Sequence, residues 1–265
     1  MKKEIKKKII SIYRTLFYSD IQKSLLKLRG SETHGEIELL SNTFYYHHGQ
    51  AFLDTYNELF VQNIYRFKQS NPNPIIIDCG ANMGLSLLYL AKEYPLAKII
   101  AFEPDETVLP YLEKNIKSYG LNVELHKKAV WSSNTTLSFY TDEGMGGRVE
   151  TDFSNCLPKR VETFRLKDLL GQKIDFLKID IEGAEIEVLM DCEDSLYNID
   201  NLFVEYHSFE NKEQQLGELL NLLKRKGFRY HLRQSFSRLH PFVDKGYVCE
   251  NYDMAINVFA YRSKN

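Results

Sequence analysis

The sequence predicts an α/β fold in which a mostly parallel β-sheet is covered by helices on both faces. From Ile75 onward, short apolar segments alternate with amphipathic segments of helical period, which is the pattern of a parallel sheet buried on both sides. The 265 residues allow one or two domains, and a composition of 43% hydrophobic and 26% charged residues is typical of a folded soluble protein.

The predicted strands are short and apolar, and two of the predicted helices end at Gly120 and Gly227. Strands are expected at 75–79, 98–102, 123–126, 137–140, 176–179, 202–207, 228–232 and 256–261. The strand at 137–140 is a candidate for a position outside the main sheet. Helices are expected at 85–93, 107–119, 166–170, 184–190 and 213–226.

An N-terminal helical extension, residues 1–70, is predicted to precede the main domain, residues 71–265. Ile5, Ile9, Ile12 and Leu16 are spaced as one stripe of an amphipathic helix, and a second, mostly aromatic stripe runs from 52 to 67. The Asn-Pro-Asn-Pro run at 71–74 interrupts any helix, so the boundary is placed there.

The N-terminal extension carries a concentrated positive charge. Residues 1–30 hold nine Lys or Arg against two acidic residues, which is a net charge of +7. We expect this helix to pack on the body of the protein or on a second subunit. The alternative is that residues 1–28 lie on the inner face of an anionic membrane, with the apolar stripe in the interface.

Net charge and cysteine spacing indicate which partners and which cellular compartment to expect. The net charge of -2 gives no general attraction to nucleic acid, so no nucleic-acid partner is expected. The four cysteines lie far apart without a C-x-x-C motif, which argues against a zinc site or a disulfide scaffold and indicates a reducing, cytoplasmic compartment. No apolar run approaches the roughly 18 residues of a membrane span.

A glycine-containing turn follows the first predicted strand. Its candidate binding residues are Asp78, Gly80, Ala81, Asn82 and Gly84, and its glycines would let a ligand approach the backbone at a helix N-terminus. Asn82 stands where the dinucleotide fingerprint has its middle glycine, and no P-loop lysine follows. Since Asp78 adds a negative charge, the turn predicts a ligand without phosphates.

A carboxylate also follows the second predicted strand. Glu103, followed by Pro104, lies 23 residues beyond Gly80, where a carboxylate accepts hydrogen bonds from a ribose in dinucleotide folds. A carboxylate can accept from both ribose hydroxyls at once. The structural alternative is that Glu103 and Asp105 favour the N-terminus of the next helix.

Charged residues occupy two further predicted strands. Alternation places Lys178 and Asp180 on one face of their strand, and Glu205 and His207 on one face of the next. If these strands are neighbours, Lys178 faces Glu205 as a buried ion pair, and Asp180 faces His207 at the edge where ligands bind. Glu182 begins the helix after the first of these strands, where it is either a catalytic residue or a favourable helix N-terminal charge.

Four motifs, taken in order, resemble those of the FkbM family of S-adenosylmethionine-dependent methyltransferases. They are IDCGANMG at 77–84, AFEPD at 101–105, LKIDIEGAE at 177–185 and EYH at 205–207, with YNELF at 56–60 upstream. The resemblance covers about residues 50–230. It implies a class I methyltransferase fold, which is a mostly parallel seven-stranded sheet with an antiparallel last strand.

The resemblance also implies S-adenosylmethionine as cofactor and a set of site residues. The residues expected to bind this cofactor are Asp78, Gly80, Ala81, Asn82, Gly84, Glu103, Pro104 and Ala129, the last beside the adenine. The expected catalytic residues are Asp180, His207 and Glu182, with His207 as a general base oriented by Asp180. A divalent cation held by Asp180 and Glu182 is the less favoured alternative to a site without metal.

The expected activity is O-methylation of a hydroxyl on a sugar, glycan or natural-product acceptor. The expected partners are that small-molecule or glycan acceptor and, as a further option, a second copy of the chain. Two alternatives stay open. One is an NAD-dependent oxidoreductase, against which Asn82 argues, and the other is a non-catalytic binding protein that has kept the fold.

Overall fold

The computed structural model describes residues 20–141, 147–149, 157–209, 212–236, 238–243 and 252–262. The predicted helix at 5–16 lies outside the described residues, as does most of the segment considered for membrane contact. In the described part of the chain, no helix has the length and apolar character that crossing a bilayer requires.

The described part of the chain contains six α-helices and thirteen strands. The α-helices are α1 (Asp20–Lys27), α2 (Gly49–Tyr56), α3 (Leu85–Glu93), α4 (Leu109–Tyr119), α5 (Glu185–Asp191) and α6 (Leu216–Arg225). The strands are β1 (Gly35–Leu39), β2 (Asn42–Tyr46), β3 (Ile75–Cys79), β4 (Lys98–Phe102), β5 (Val123–His126), β6 (Ala129–Trp131), β7 (Thr136–Thr141), β8 (Gly147–Val149), β9 (Lys159–Arg165), β10 (Ile174–Ile179), β11 (Ile199–Phe209), β12 (Arg229–Gln234) and β13 (Tyr252–Tyr261). A π-helical segment (Asn57–Val61) continues α2, and short 3-10 helices (Leu166–Leu169 and Glu193–Asn198) precede β10 and β11.

Seven of the described strands form the central sheet, in the order β12-β13-β11-β10-β3-β4-β5. The neighbours from β11 to β5 are parallel, whereas β13 is antiparallel to both β11 and β12. The predicted sheet, mostly parallel with an antiparallel last strand, is therefore confirmed. Strand β10 is buried along its whole length, and four of its six residues are apolar, as is typical of a central parallel strand.

The strand order reverses between β3 and β10. The chain moves outward from β3 to β5 and later returns to β10 on the other side of β3. In open α/β sheets such a reversal leaves a crevice beyond the carboxyl ends of the strands. The residues that follow β3, β4, β10 and β11 therefore meet at one edge of the sheet.

Two apolar clusters cover the two faces of the sheet. On one face, Ile76 and Phe176 pack against α3 and the N-terminal segment. On the other face, Leu177 and Val204 pack against α5 and α6. Because side chains alternate between these faces along each strand, residues 176, 178 and 180 project towards the same side as the N-terminal segment.

The N-terminal segment contains a β-hairpin that the sequence analysis did not predict. β1 and β2 pair antiparallel, with Ile37 opposite Phe44, and both side chains enter the core that also contains Ile76. The connecting Leu40 and Ser41 have positive φ angles of 52° and 66°, which Asn and Gly adopt more readily, so the usual turn signal is absent. The described part of residues 1–70 is thus not wholly helical.

A second described sheet has the strand order β6-β9-β7-β8. Its strand β7 contains the segment 137–140, which confirms that this predicted strand lies outside the central sheet. The strands β6, β8 and β9 were not predicted. The aromatic segment 52–67 was expected to be helical throughout. In the structure the helical part is shorter, because the π-helical segment ends at Val61.

Candidate active site

A cavity of about 750 Å³ opens at the carboxyl edge of the central sheet. Its volume is that of a small-molecule or cofactor site. Eight of the predicted site residues line it: Gly80, Asn82, Glu103, Pro104, Ala129, Asp180, Glu182 and His207. Residues from four different strand ends therefore meet around one space, as the strand reversal requires.

The turn after β3 needs a glycine at position 80. Gly80 has a φ of +86°, and a Cβ atom there would collide with the carbonyl oxygen of Asp180. Asn82 also has a positive φ, 48°, and its side-chain oxygen accepts a hydrogen bond from the backbone N–H of Met83 at 2.6 Å. The turn is thus fixed against the end of β10, with Gly80 and Asn82 in the cavity wall.

The carboxylate of Glu103 is held by the backbone at the cavity wall. Oε2 accepts a hydrogen bond from the N–H of Asn82 at 2.7 Å, and Oε1 accepts one from the N–H of Asp105 at 2.9 Å. A carboxylate has about four lone-pair positions, so about two stay free for a ligand. Burial raises the pKa of Glu103 to about 7, although both backbone hydrogen bonds oppose the rise.

Three of the predicted cofactor residues do not line the cavity. Asp78 is fully buried beneath it, where Oδ2 accepts a hydrogen bond from Ser86 at 2.5 Å. Ala81 is 2% exposed within the turn, and Gly84 begins α3 with a φ of +86°. In this structure Asp78, Ala81 and Gly84 therefore shape the turn, and their expected contact with a cofactor stays a prediction.

Lys178 pairs with a different strand from the one predicted. Its Nζ lies 3.3 Å from Asp78 and 3.2 Å from Asp180, and all of these groups project from the same face. The register places Lys178 level with Phe203 of β11 and with Asp78 of β3, so the expected Lys178–Glu205 pair does not form. Burial opposes the charge of Lys178, but Asp180 and Asp78 raise its pKa well above the usual value.

His207 is hydrogen-bonded by Glu185 and not, as predicted, by Asp180. Its Nδ1 lies 2.9 Å from Oε1 of Glu185, while its Nε2 lies 3.8 Å from Glu182 and 4.0 Å from Glu205. Burial alone would lower the pKa of His207, but the carboxylates of Glu182, Glu185 and Glu205 together raise it well above the usual value.

A group of potential cation ligands lies around His207. Within the described residues, Asp180, Glu205 and His207 each offer one ligand atom within 4.8 Å of the others. Carboxylate oxygens and an imidazole nitrogen suit a divalent cation, so these residues could hold one. The pair considered from sequence was Asp180 and Glu182. In the structure, Glu182 instead accepts a hydrogen bond from Tyr252.

The cavity wall also contains residues that were not assigned from sequence, among them three polar ones from separate elements. Glu58 of the π-helical segment, Arg233 of β12 and Tyr252 of β13 line the same cavity. Burial, reinforced by the carboxylates of Glu205 and Asp180, raises the pKa of Glu58 to about 7. Glu58 stands within the predicted aromatic stripe and within the YNELF segment of the resemblance, but it was given no role there. Arg233 and Tyr252 come from strands whose positions depend on the complete sheet, so no local pattern marked these two.

Comparison with known proteins identifies the family. The FkbM methyltransferase domain model matches residues 78–230. Methyltransferase sdnD of Sordaria araneosa is 29% identical over 222 residues, which cover 65% of this chain and 80% of that protein. The 2-O-methyltransferase NoeI of Sinorhizobium fredii is 26% identical over 166 residues, 55% of this chain and 68% of that protein. The solved structure of methyltransferase FkbM from Methylobacillus flagellatus KT has a TM-score of 0.48 and 18% identity, covering 72% of this chain and 45% of that chain.

The domain match covers more than half of the chain and spans the turn after β3, Glu103, Asp180 and His207. It identifies a methyltransferase and not the dinucleotide-dependent oxidoreductase that was left open from the sequence. The strand order, with its antiparallel β13, is the one that this resemblance implied. The chain therefore belongs to the FkbM family of methyltransferases and has the class I methyltransferase fold.

Proposed function

We propose that this protein methylates a hydroxyl group on a sugar, glycan or natural-product acceptor, with S-adenosylmethionine as the methyl donor. The observation that carries the proposal is the content of one cavity. Glu103 offers a carboxylate with free lone pairs at one wall, and His207 offers an imidazole fixed by a second carboxylate at another. The first suits a ribose, and the second suits removal of a hydroxyl proton.

The cofactor end of the cavity is built by β3 and β4. When bound, S-adenosylmethionine supplies an electrophilic methyl group on a positively charged sulfur. Glu103 would accept hydrogen bonds from the ribose hydroxyls. The turn that contains Gly80 and Asn82 would contact the cofactor through its backbone. Ala129 and Pro104 would form an apolar wall beside the adenine. The surrounding carboxylates favour a cationic ligand over a phosphate.

The acceptor end of the cavity is built by β10 and β11. His207 would take the proton of the reacting hydroxyl, and general-base catalysis contributes roughly 10²–10⁴-fold to the rate of enzymatic reactions. Asp180 and Glu182 border the same space and would accept hydrogen bonds from further hydroxyls of the acceptor. Several acceptor-only groups in one wall suit a hydroxyl-rich molecule, and the 2-O-methylation in the name of the relative NoeI points the same way.

Transfer of isotope-labelled methyl groups tests this proposal. Purified protein is incubated with labelled S-adenosylmethionine and a panel of sugars, lipid-linked glycans, hydroxylated natural products and RNA. The expected result is label in an O-methyl group of at least one hydroxyl acceptor, with loss of transfer in His207→Ala. Label on a nitrogen of RNA would contradict the acceptor class, and absence of cofactor binding would support a non-catalytic binding protein.

A further inference from the structure

Glu185 carries a buried carboxylate at the first position of α5. Its Oε1 accepts hydrogen bonds from the backbone N–H groups of Ile181 at 3.3 Å and Gly183 at 2.9 Å. The same oxygen lies 2.9 Å from Nδ1 of His207. One carboxylate oxygen therefore joins the turn after β10 to the histidine of β11.

Burial and the chemistry of the carboxylate together fix which group donates this hydrogen bond. The side chains of Glu185 and His207 are 1% and 3% exposed, so bulk water does not compete for the hydrogen bond. Because a carboxylate can only accept, Nδ1 of His207 carries the proton and donates it. The imidazole then presents its other nitrogen, Nε2, on the side of Glu182 and Glu205.

The same carboxylate also holds the turn that carries Glu182. Glu182 and Gly183 both have positive φ angles, 60° and 98°, and a side chain at Gly183 would collide with the ring of Phe209. A non-glycine residue in this conformation needs support from its surroundings. The two backbone hydrogen bonds to Glu185 flank Glu182 and provide that support.

We infer that Glu185 is the positioning residue of the active site, fixing the tautomer and orientation of His207 and the backbone of Glu182 without touching the ligands itself. This inference rests on the proposed function for its catalytic meaning. Glu185 is absent from the cavity wall that Glu182 and His207 line, so it acts through them. From sequence alone, it was indistinguishable from an ordinary acidic residue at a helix start.

The chain offers a matched control on the same helix. Glu187 lies two residues further along α5, and it accepts a hydrogen bond from Ser132 at 2.7 Å in an exposed position. Glu185→Gln and Glu187→Gln each remove one negative charge and keep the side-chain size. A difference between the two variants therefore reports the contacts of Glu185 with His207 and with the turn, and not the loss of a negative charge from the helix.

The first readout needs no substrate and no activity. Nitrogen-15 NMR of the histidine side chains in the full-length wild-type protein, at alkaline pH where the imidazole is neutral, should find the proton of His207 on Nδ1. In Glu185→Gln, which places a side-chain donor group beside the ring, a population with the proton on Nε2 should appear. A wild-type proton on Nε2 would overturn the inference even if the Gln variant did not fold.

The second readout separates orientation from binding. Glu185→Gln should lower kcat at least tenfold, while the KM for the acceptor and the calorimetric affinity for S-adenosylmethionine stay within twofold of wild type. Glu187→Gln should leave all of these values within twofold. Equal losses of kcat in both variants, or a parallel loss of cofactor affinity in Glu185→Gln, would show a general structural effect. If no acceptor were methylated at all, the proposed function would be wrong. The NMR measurement would still show which nitrogen of His207 carries the proton.

Discussion

Glu103 accepts the backbone N–H of Asn82 at 2.7 Å, so the carboxylate at the end of β4 is held by the turn that follows β3. The strands β3 and β4 are neighbours, and their carboxyl ends meet at the same edge. The turn thus orients the group that is proposed to bind the ribose. This relationship ties the proposed recognition of the cofactor to the backbone conformation of the turn, and it leads to the first two predictions.

Replacement of Glu103 by Ala should weaken binding of S-adenosylmethionine by roughly 10- to 100-fold, since a hydrogen bond to a charged group contributes about 1.5–3 kcal/mol. The free energy of unfolding should change much less, because the two backbone amides border the cavity and water can replace the carboxylate there. Calorimetry and denaturant titration measure the two effects. Glu106→Ala, at an exposed position, is the control and should leave the affinity for S-adenosylmethionine unchanged. Unchanged binding in Glu103→Ala would reject the assignment of Glu103 to the ribose.

The affinity of the cavity for a ribose should depend on pH through Glu103. Because burial raises the pKa of Glu103 to about 7, its ionised fraction grows from pH 6 to pH 8. Only the ionised form accepts from both hydroxyls, so the affinity should rise about tenfold over this range. 5′-Methylthioadenosine is a suitable ligand for calorimetry since it lacks the titrating amino-acid tail. In Glu103→Gln the tenfold rise should be lost, with only a smaller change left from Glu58 in the same cavity. A wild-type affinity that falls as pH rises would contradict the assignment.

Replacement of His207 by Ala should abolish most of the turnover and keep cofactor binding. The loss of a general base predicts a fall in kcat of roughly 10²–10⁴-fold. Wild-type kcat should also increase as pH rises above neutrality, because the neighbouring carboxylates raise the pKa of His207 and only the neutral imidazole accepts a proton. Steady-state kinetics across pH check both expectations. His231→Ala, on the exposed strand β12, is the control and should keep the wild-type kcat. A fully active His207→Ala would show that His207 is not the general base.

Lys178 should be essential to folding stability because it is the buried cation between Asp78 and Asp180. Its side chain is 4% exposed, and removing one partner of a buried ion pair costs about 3–5 kcal/mol. Lys178→Met should therefore lower the free energy of unfolding by about that amount, measured by denaturant titration. Adding Asp78→Asn should recover part of the loss.

A surface lysine near the same strand provides the comparison for Lys178. Lys173 pairs with Asp200 at 2.9 Å with a side chain that is 59% exposed. Lys173→Met should change the free energy of unfolding by less than about 1 kcal/mol, as is usual for exposed ion pairs. Similar losses of unfolding free energy in the two lysine variants would mean that the buried ion pair stabilises the fold no more than the exposed one.

The sequence alone was sufficient for the elements of the parallel sheet. The predicted strands 75–79, 98–102 and 123–126 and the helix 85–93 have the observed bounds. Buried parallel strands are continuous apolar runs, and glycine and proline interrupt them, so the signal is local. The hairpin β1–β2 was missed because Leu40 and Ser41 occupy a turn that normally shows Asn or Gly.

The sequence by itself also determined which strand ends line the cavity, since Glu103 and Asp180 could be found by their positions after apolar strands and His207 by its position near the end of one. Only the tertiary structure decided their partners. Lys178 pairs with Asp78 because β10 lies beside β3, and His207 pairs with Glu185 because α5 begins beside β11. Alternation gives the face of a side chain, whereas its neighbour depends on strand order and register, which pairings between distant parts of the chain establish.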